Sequence, residues 1–543
     1  MKPVTVFCFT LVFSFTLASA ADIPHLQKQG TATQLVVDGK PFLALAGELH
    51  NSSATGLEYM KPVWPKLAAA KLNTVLAGVS WNQIEPQEGK FNFSVVDGVI
   101  QGARSNNLHL VLLWFASWKN GLSSYPPDWV KRDFKRFPRI QIQGGKTIEL
   151  LSPFSDANRD ADARAYAALM RHVKEVDGQQ HTVVMIQVEN EINVQRDSRD
   201  RSPVANQAYA GPVPKVLMDY LQKQKNELLP EVRKVWEAAG FRTSGTWEEV
   251  FGKGVATDQL FMAWYFARYV NRVAEAGKGE YPIPMYVNGW MSGFGGRGHT
   301  GNELPPERVN SGGPEAHLLE VWQAGAPRID IVSGDLYSWF VESCAMYARS
   351  GNPIFIPETQ GGQEGSMRAL YAFGRYDAIG YSPFGVDGSR APDDDLIGSY
   401  DLITQLTPLI LANQGKGTMS AVFLGPKDPP QKVRVGNYTL EAWYTQPRRP
   451  ATPAPQETQP FAGAIFIATG PDEYFVAGRG VSVTFSPNTP GPPLAGFGTV
   501  EEGKFVNGRW VPGRQLAGDE TEQGDNLSFR SLGIQRVTLY RYE

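Results

Sequence analysis

The chain has 543 residues, 42% of them apolar and 20% charged, with a net charge of −3 and 13 tryptophans. That length exceeds one ordinary core, so two domains are the starting expectation. A near-neutral balance argues against a basic nucleic-acid surface or a polybasic membrane patch and suits a neutral ligand, one that exposed tryptophans could stack on.

In chain order, the first twenty residues come as a unit. Lys2 gives a positive start, Val4 to Leu17 are apolar, and Ala18-Ser19-Ala20 is a small-residue cleavage site, so residues 1–20 are expected to be a removed signal peptide. The run is too short and too broken by Thr and Ser for a membrane span, and no later segment is apolar enough for one, so an exported protein, periplasmic or secreted, is expected. Cleavage leaves Cys344 as the lone cysteine, which excludes an intrachain disulfide and a cysteine metal site. The seven histidines have no HExxH-like spacing, so no protein-built metal site is expected.

Eight short apolar runs follow, at Phe42–Glu48, Asn73–Ser80, Leu108–Phe115, Thr182–Glu191, Ile283–Trp290, Ile329–Tyr337, Pro353–Gln360 and Ala378–Phe384. Most are nearly continuous Val, Ile and Leu, as in strands covered on both faces of a parallel sheet. Several intervening stretches, such as Asp160–Val176 and Gln259–Ala276, carry helical spacing. Eight alternations predict an α/β fold, a (β/α)8 barrel over residues 21–421, with a long insertion after the fourth run that holds the charged stretch Arg196–Arg201. From about Val422 prolines and glycines become dense, and alternating stretches appear at Val433–Val435, Tyr438–Tyr444, Ala464–Thr469, Val481–Phe485 and Arg536–Tyr542. Residues 422–543 are therefore expected to form a smaller all-β domain, a sandwich or barrel acting as a structural cap.

The strand C-termini of such a barrel form its active face. The fourth run ends Gln187-Val188-Glu189-Asn190-Glu191 and the seventh ends Ile356-Pro357-Glu358-Thr359-Gln360, so each delivers a carboxylate to the mouth. Two carboxylates across a sugar are what glycosidic cleavage needs: one protonates the leaving oxygen, the other attacks the anomeric carbon or activates water. The competing reading is an ion pair sealing the barrel.

Gln187-Val188-Glu189-Asn190-Glu191 resembles the QVENE motif of the glycoside hydrolase family 35 β-galactosidases, within the clan of retaining (β/α)8 enzymes. Ser80-Trp81-Asn82-Gln83-Ile84-Glu85-Pro86 resembles that family's stretch after strand two, and Gly47-Glu48-Leu49-His50 stands in the place of its strand-one motif. The resemblance implies Glu191 as acid/base, Glu358 as nucleophile and Asn190 as a partner of the sugar 2-hydroxyl. Alternation puts Glu189 on the same side as Glu191, one layer deeper, as a supporting carboxylate. Two departures stand out: Gly78 replaces a sugar-contacting tyrosine, and Ser117, in Phe115-Ala116-Ser117-Trp118, replaces a galactose-contacting glutamate. Glu48, ending strand one, is the candidate to supply the missing carboxylate.

Further substrate-contact candidates are His50, Trp81, Asn82, Trp118, Asn288, Trp290 and Tyr337, the last also able to hold the nucleophile ionised. The expected function is a retaining exo-β-galactosidase that removes terminal galactose from saccharide side chains. Resemblance to compact bacterial members suggests xyloglucan as the source of that galactose. The partner is a carbohydrate, with no nucleic acid, no membrane span in the mature chain and no cofactor, since two carboxylates carry the chemistry. The alternatives are a retaining β-glycosidase on a glucoside, arabinoside or β-glucan, and a non-catalytic surface glycan-binding protein.

Overall fold

The computed structural model describes residues 22–291, 309–388, 392–445 and 460–543. The expected signal peptide, the glycine-rich residues 292–299 and most of residues 447–460 lie outside the described residues.

All eight apolar runs become strands of one parallel sheet: β1 (Ala44–Glu48), β2 (Thr74–Ser80), β3 (His109–Lys119), β4 (Val183–Asn190), β5 (Met285–Gly289), β6 (Ile331–Gly334), β7 (Phe355–Thr359) and β8 (Gly380–Pro383). They are hydrogen-bonded in chain order, and the circle closes where β8 pairs β1 and Asp335 bridges Glu358 beside β6 and β7. Their continuous apolar character follows from double coverage. Leu76, Val111, Leu113, Phe115, Met185, Ile331 and Phe355 fill the barrel interior, while alternate residues face the helices.

The outer layer includes α1 (Val63–Ala69), α2 (Ser94–Ser105), α3 (Asp156–Asp177), α4 (Val255–Glu280), α5 (Leu319–Gly325), α6 (Phe340–Tyr347), α7 (Gly362–Tyr376) and α8 (Asp394–Asn413). Ser155 caps α3 by accepting from the Asn158 N–H, and Asp393 caps α8 through Leu396 N–H. Cys344 is buried on α6 as a core residue. The insertion after β4 carries helices Pro203–Ala210, Lys215–Lys223, Pro230–Ala238 and Trp247–Phe251. Its charged stretch is a buried lattice rather than a solvated run: Arg201 pairs with Asp197 and Asp258, and Asp200 accepts from Ser152. An antiparallel meander, His25–Gln29, Ala32–Val37 and Lys40–Phe42, precedes β1, and its Leu35 and Val37 join the interior cluster.

The all-β domain begins at Met419, slightly ahead of the expected Val422, because Met419–Leu424 already pairs with Ala462–Gly470. It is a sandwich of a six-stranded and a four-stranded antiparallel sheet. The strand Ala462–Gly470 shows why it does not alternate in polarity. Ala464 and Phe466 face the sandwich interior, whereas Ile465 and Ile467 face the barrel's helical layer, principally α7.

Candidate active site

Glu191 and Glu358 meet at the mouth of the barrel, together with a third acid, Asp335. One carboxylate oxygen from each lies within 4.8 Å of the others, and all three residues are buried. The chain reaches this arrangement by leaving ordinary strand geometry. Glu189 and Glu191 have φ of 62° and 45°, a region costly for side-chain-bearing residues, which persists only where surroundings enforce it. The enforcing bonds are visible. The Glu191 N–H donates to Asn288 Oδ1 at 3.1 Å, Gly121 N–H donates to the Glu191 carbonyl, and the Asn120 amide donates to Glu191 Oε2.

Glu358 is held from β6. The Tyr337 hydroxyl donates to its Oε1 at 2.7 Å, and Leu336 N–H donates to its carbonyl at 2.8 Å. Burial, and then the Glu358 charge, push the Tyr337 phenol far above its ordinary value, so it stays protonated and donating. Asn288 links the acids: its carbonyl serves Glu191 and its Nδ2 donates to Asp335 Oδ2 at 2.8 Å.

Glu48 and Asn190 flank this centre. Glu48 is buried with Oε1 unpaired among the described residues, and its carboxyl sits well above the usual range because of burial first and the Glu358 charge second. Lys119 opposes that rise. Its ammonium lies over the Phe115 ring and donates to Asn190 Oδ1 at 2.8 Å, leaving the buried Asn190 Nδ2 without a partner among the described residues. An orphaned buried donor beside orphaned buried acceptors is costly unless a polyhydroxylated ligand or water completes the bonds.

The expected site residues divide accordingly. Glu191, Glu358, Asn190, Asn288, Tyr337 and Glu48 are brought together. His50, on the rim, bonds Asp387 Oδ1 through both its backbone N–H and Nδ1 at 2.9 Å. Trp290 is 40% exposed at the end of β5, and Asn82 is exposed on the turn after β2. Trp81 and Trp118 are corrections. Trp81 is fully buried, donating to Glu85 at 2.7 Å and meeting Trp129 edge-on. Trp118 is fully buried among Phe266 and Tyr269 of α4, its indole N–H on the Leu151 carbonyl, so it offers no face to a sugar.

Glu189 is a correction of direction. Its carboxylate accepts from the Ser117 and Trp118 N–H groups and meets Asp162 of α3, between the sheet and the helices rather than on the Glu191 side. Burial and the neighbouring Asp162 raise its carboxyl well above the ordinary range, so the pair holds a proton. Ser117 faces the same layer, bonding Asp162 at 2.5 Å and Tyr269 at 2.7 Å. At Gly78 the Phe115 ring fills the space: a Cβ there would lie 2.7 Å from it, so a tyrosine is sterically excluded.

Sequence reasoning missed Asp335 and Lys119. Asp335 stands inside the sixth run, two residues before Tyr337, and Lys119 is the last residue of β3, four beyond the end of the third run; both are ionisable residues at strand ends. As a donor set, Glu191, Asp335 and Glu358 offer the all-oxygen chemistry that hard divalent cations take. Each of these carboxyls already has one oxygen engaged, by Asn120, Asn288 and Tyr337 respectively.

Comparison with known proteins adds a chemical class. Residues 59–251 match the glycoside hydrolase family 42 model, described as "Beta-galactosidase", and residues 396–528 match a domain of unknown function, DUF5597. The first match includes Glu191 and ends before Glu358, and it points to family 42 where the motifs resemble family 35. A Xanthomonas manihotis protein named beta-galactosidase is 31% identical over 193 residues, 34% of this chain and 29% of that protein. Arabidopsis thaliana beta-galactosidase 11 is 42% identical over 66 residues, 11% of this chain and 7% of its own. Both matches thus span less than a third of the relative. The crystal structure of a β-galactosidase from Bacillus circulans sp. alkalophilus is similar at 15% identity and a TM-score of 0.43, over 67% of this chain and 56% of that one. Among the described residues no helix is long and apolar enough to cross a membrane.

Proposed function

We propose that the chain is a retaining exo-β-galactosidase, with Glu191 as acid/base and Glu358 as nucleophile. The supporting observation is that one carboxylate oxygen of Glu191 lies within 4.8 Å of one of Glu358. Retaining pairs stand at about 5 Å, whereas inverting pairs need about 6.5 to 9.5 Å to admit a water. Glu358 attacks the anomeric carbon as Glu191 protonates the departing oxygen, giving a glycosyl ester on Glu358. Glu191 then takes a proton from water, whose oxygen displaces Glu358 and restores the configuration. The Asn190 amide, anchored by Lys119, donates to the 2-hydroxyl, and Glu48 accepts from a hydroxyl deeper in the pocket.

The strand-end motifs favour family 35, and terminal galactose on xyloglucan side chains is the substrate this reading puts first. The leader-like residues 1–20 favour an exported enzyme, periplasmic or secreted. A β-glycosidase acting on another sugar is the second reading, favoured by the Phe115 ring over Gly78 and by Lys119 in the pocket.

The test is hydrolysis of nitrophenyl β-galactoside and of a galactosylated xyloglucan oligosaccharide by wild type and Glu358→Ala, with and without azide. Galactose release, its loss in the variant and azide-dependent α-galactosyl azide are the expected results. Undiminished activity in Glu358→Ala overturns the assignment. A wild type active only on other nitrophenyl glycosides moves the substrate, and glycan binding without turnover, unchanged in Glu358→Gln, overturns catalysis.

A further inference from the structure

The two-carboxylate cycle leaves Asp335 without a role. It follows β6 directly, 3% exposed, between Asn288 of β5 and Glu358 of β7. Its Oδ2 accepts from Asn288, while the buried Oδ1 receives no hydrogen bond from any described donor. One oxygen of its carboxyl group lies within 4.8 Å of one from Glu191 and one from Glu358. Two acids this close can share a hydrogen bond only if one of them carries a proton, and dry neighbours at this distance do not both ionise.

The surroundings decide which form Asp335 takes. The carboxyls of Glu358, Glu191 and Glu48 face it, and the phenols of Tyr337, Tyr286 and Tyr347 stand nearby. Lys119 is spent on Asn190 and Glu48. Burial, followed by the Glu358 charge, holds the Asp335 carboxyl well above the ordinary range.

We propose that Asp335 is a carboxylic acid that keeps its proton through the whole cycle and donates it from Oδ1 to Glu191, as a positioning residue for the acid/base. This rests on the role given to Glu191 above. The protons balance. When Glu191 gives its proton to the leaving oxygen, its new carboxylate accepts the Asp335 O–H. When water attacks, Glu191 takes the water proton, and Asp335 has gained and lost none. The donor therefore matters most while Glu191 is ionised and acting as a base.

Asparagine at 335 can mimic the neutral acid, its oxygen accepting from Asn288 and its amide N–H donating towards Glu191. Glutamate-pair chemistry with an ionised Asp335 would not tolerate that exchange. The experiment compares Asp335→Asn and Asp335→Ala in the full chain, by pH profiles of kcat and kcat/KM on nitrophenyl β-galactoside. Infrared difference spectra between wild type and Asp335→Asn at pH 7 supply a second readout. Asp335→Asn is expected to stay within about 5-fold of wild type. Asp335→Ala, stripped of a charge-assisted donor, is expected to lose about 100-fold in kcat and to move its alkaline limb to higher pH. The difference spectrum is expected to contain the carbonyl stretch of a protonated acid. Equal inactivation of both variants, an unmoved alkaline limb in Asp335→Ala, or absence of that band each overturns the proposal. The band needs no turnover: an inert wild type that shows it removes the galactosidase reading and leaves the proton on Asp335.

Discussion

Removing one oxygen atom from Tyr337 tests how the nucleophile is kept ready. The hydroxyl donates to Glu358 Oε1 at 2.7 Å and, held far above its ordinary value, does not lose its proton in any usable range. The backbone around it is fixed independently, since Arg368 donates to the carbonyls of Leu336 and Tyr337 at 2.9 and 3.1 Å. Tyr337→Phe should therefore delete the bond without moving the strand. A hydrogen bond to a charged group is worth about 1.5–3 kcal/mol, which corresponds to about 1–2 pH units. The donor favours the ionised carboxylate, so without it Glu358 takes up a proton at higher pH. A protonated nucleophile does not attack, so low-pH activity is lost first. The acid limb of kcat/KM on nitrophenyl β-galactoside should rise by about 1–2 units, with about a 10-fold loss at the optimum from the freed carboxylate. An acid limb that stays in place, in a variant of unchanged melting temperature, would refute the reasoning.

Lys119→Met removes the anchor of Asn190, and kcat/KM should fall about 10- to 100-fold, since that bond is charge-assisted; a profile like wild type contradicts the pocket as described. Glu48→Ala should impair galactoside hydrolysis at least as strongly, measured by the same assay, and an unimpaired variant removes Glu48 from substrate contact. Ser117→Ala should cost about 1–2 kcal/mol in urea unfolding with KM unchanged, because Ser117 serves Asp162 and Tyr269 rather than the sugar. Burial pushes the Asp377 carboxyl up to about 6, so its folded form binds a proton that the unfolded chain releases. That contribution is complete at acid pH and is lost as pH rises towards about 6. Asp377→Asn should flatten this slope and, after allowance for solvent screening, gain about 1–2 kcal/mol at pH 7. Its left-handed φ of 52° also suits asparagine.

The barrel was legible because its strands are buried on both faces, and all eight were marked by continuous apolar runs. Glu191 and Glu358 could be found because a carboxylate directly after such a run is costly unless it is solvated, paired or used. Glu189 was misdirected because alternation holds only while φ stays negative, and the positive φ values at 189 and 191 turn those side chains apart. Trp118 was misplaced for a related reason. The β3–β4 register shifts between Trp114 and Lys119, so Lys119, and not Trp118, reaches the pocket. Motif likeness carried residue types but not the direction in which they point. The strand His25–Gln29 of the meander and the strands Leu494–Val506 and Arg509–Gln515 escaped notice because their polar residues are spread along exposed or half-buried ribbons.

The helix that follows the strand of Glu358 has a consequence for anyone who would divide the chain. α7 lies against Met419–Leu424 and Ala462–Gly470, so closely that a Cβ on Gly374 would come within 2.7 Å of both Ala421 and Ile465. Gln363, at its start, donates to the Phe461 carbonyl. A cut near residue 418 would thus uncover the outer side of α7 and bare an apolar face on the barrel. The β domain and the barrel are packed together through α7, and exchange of such tails between relatives should succeed only when α7 travels with them.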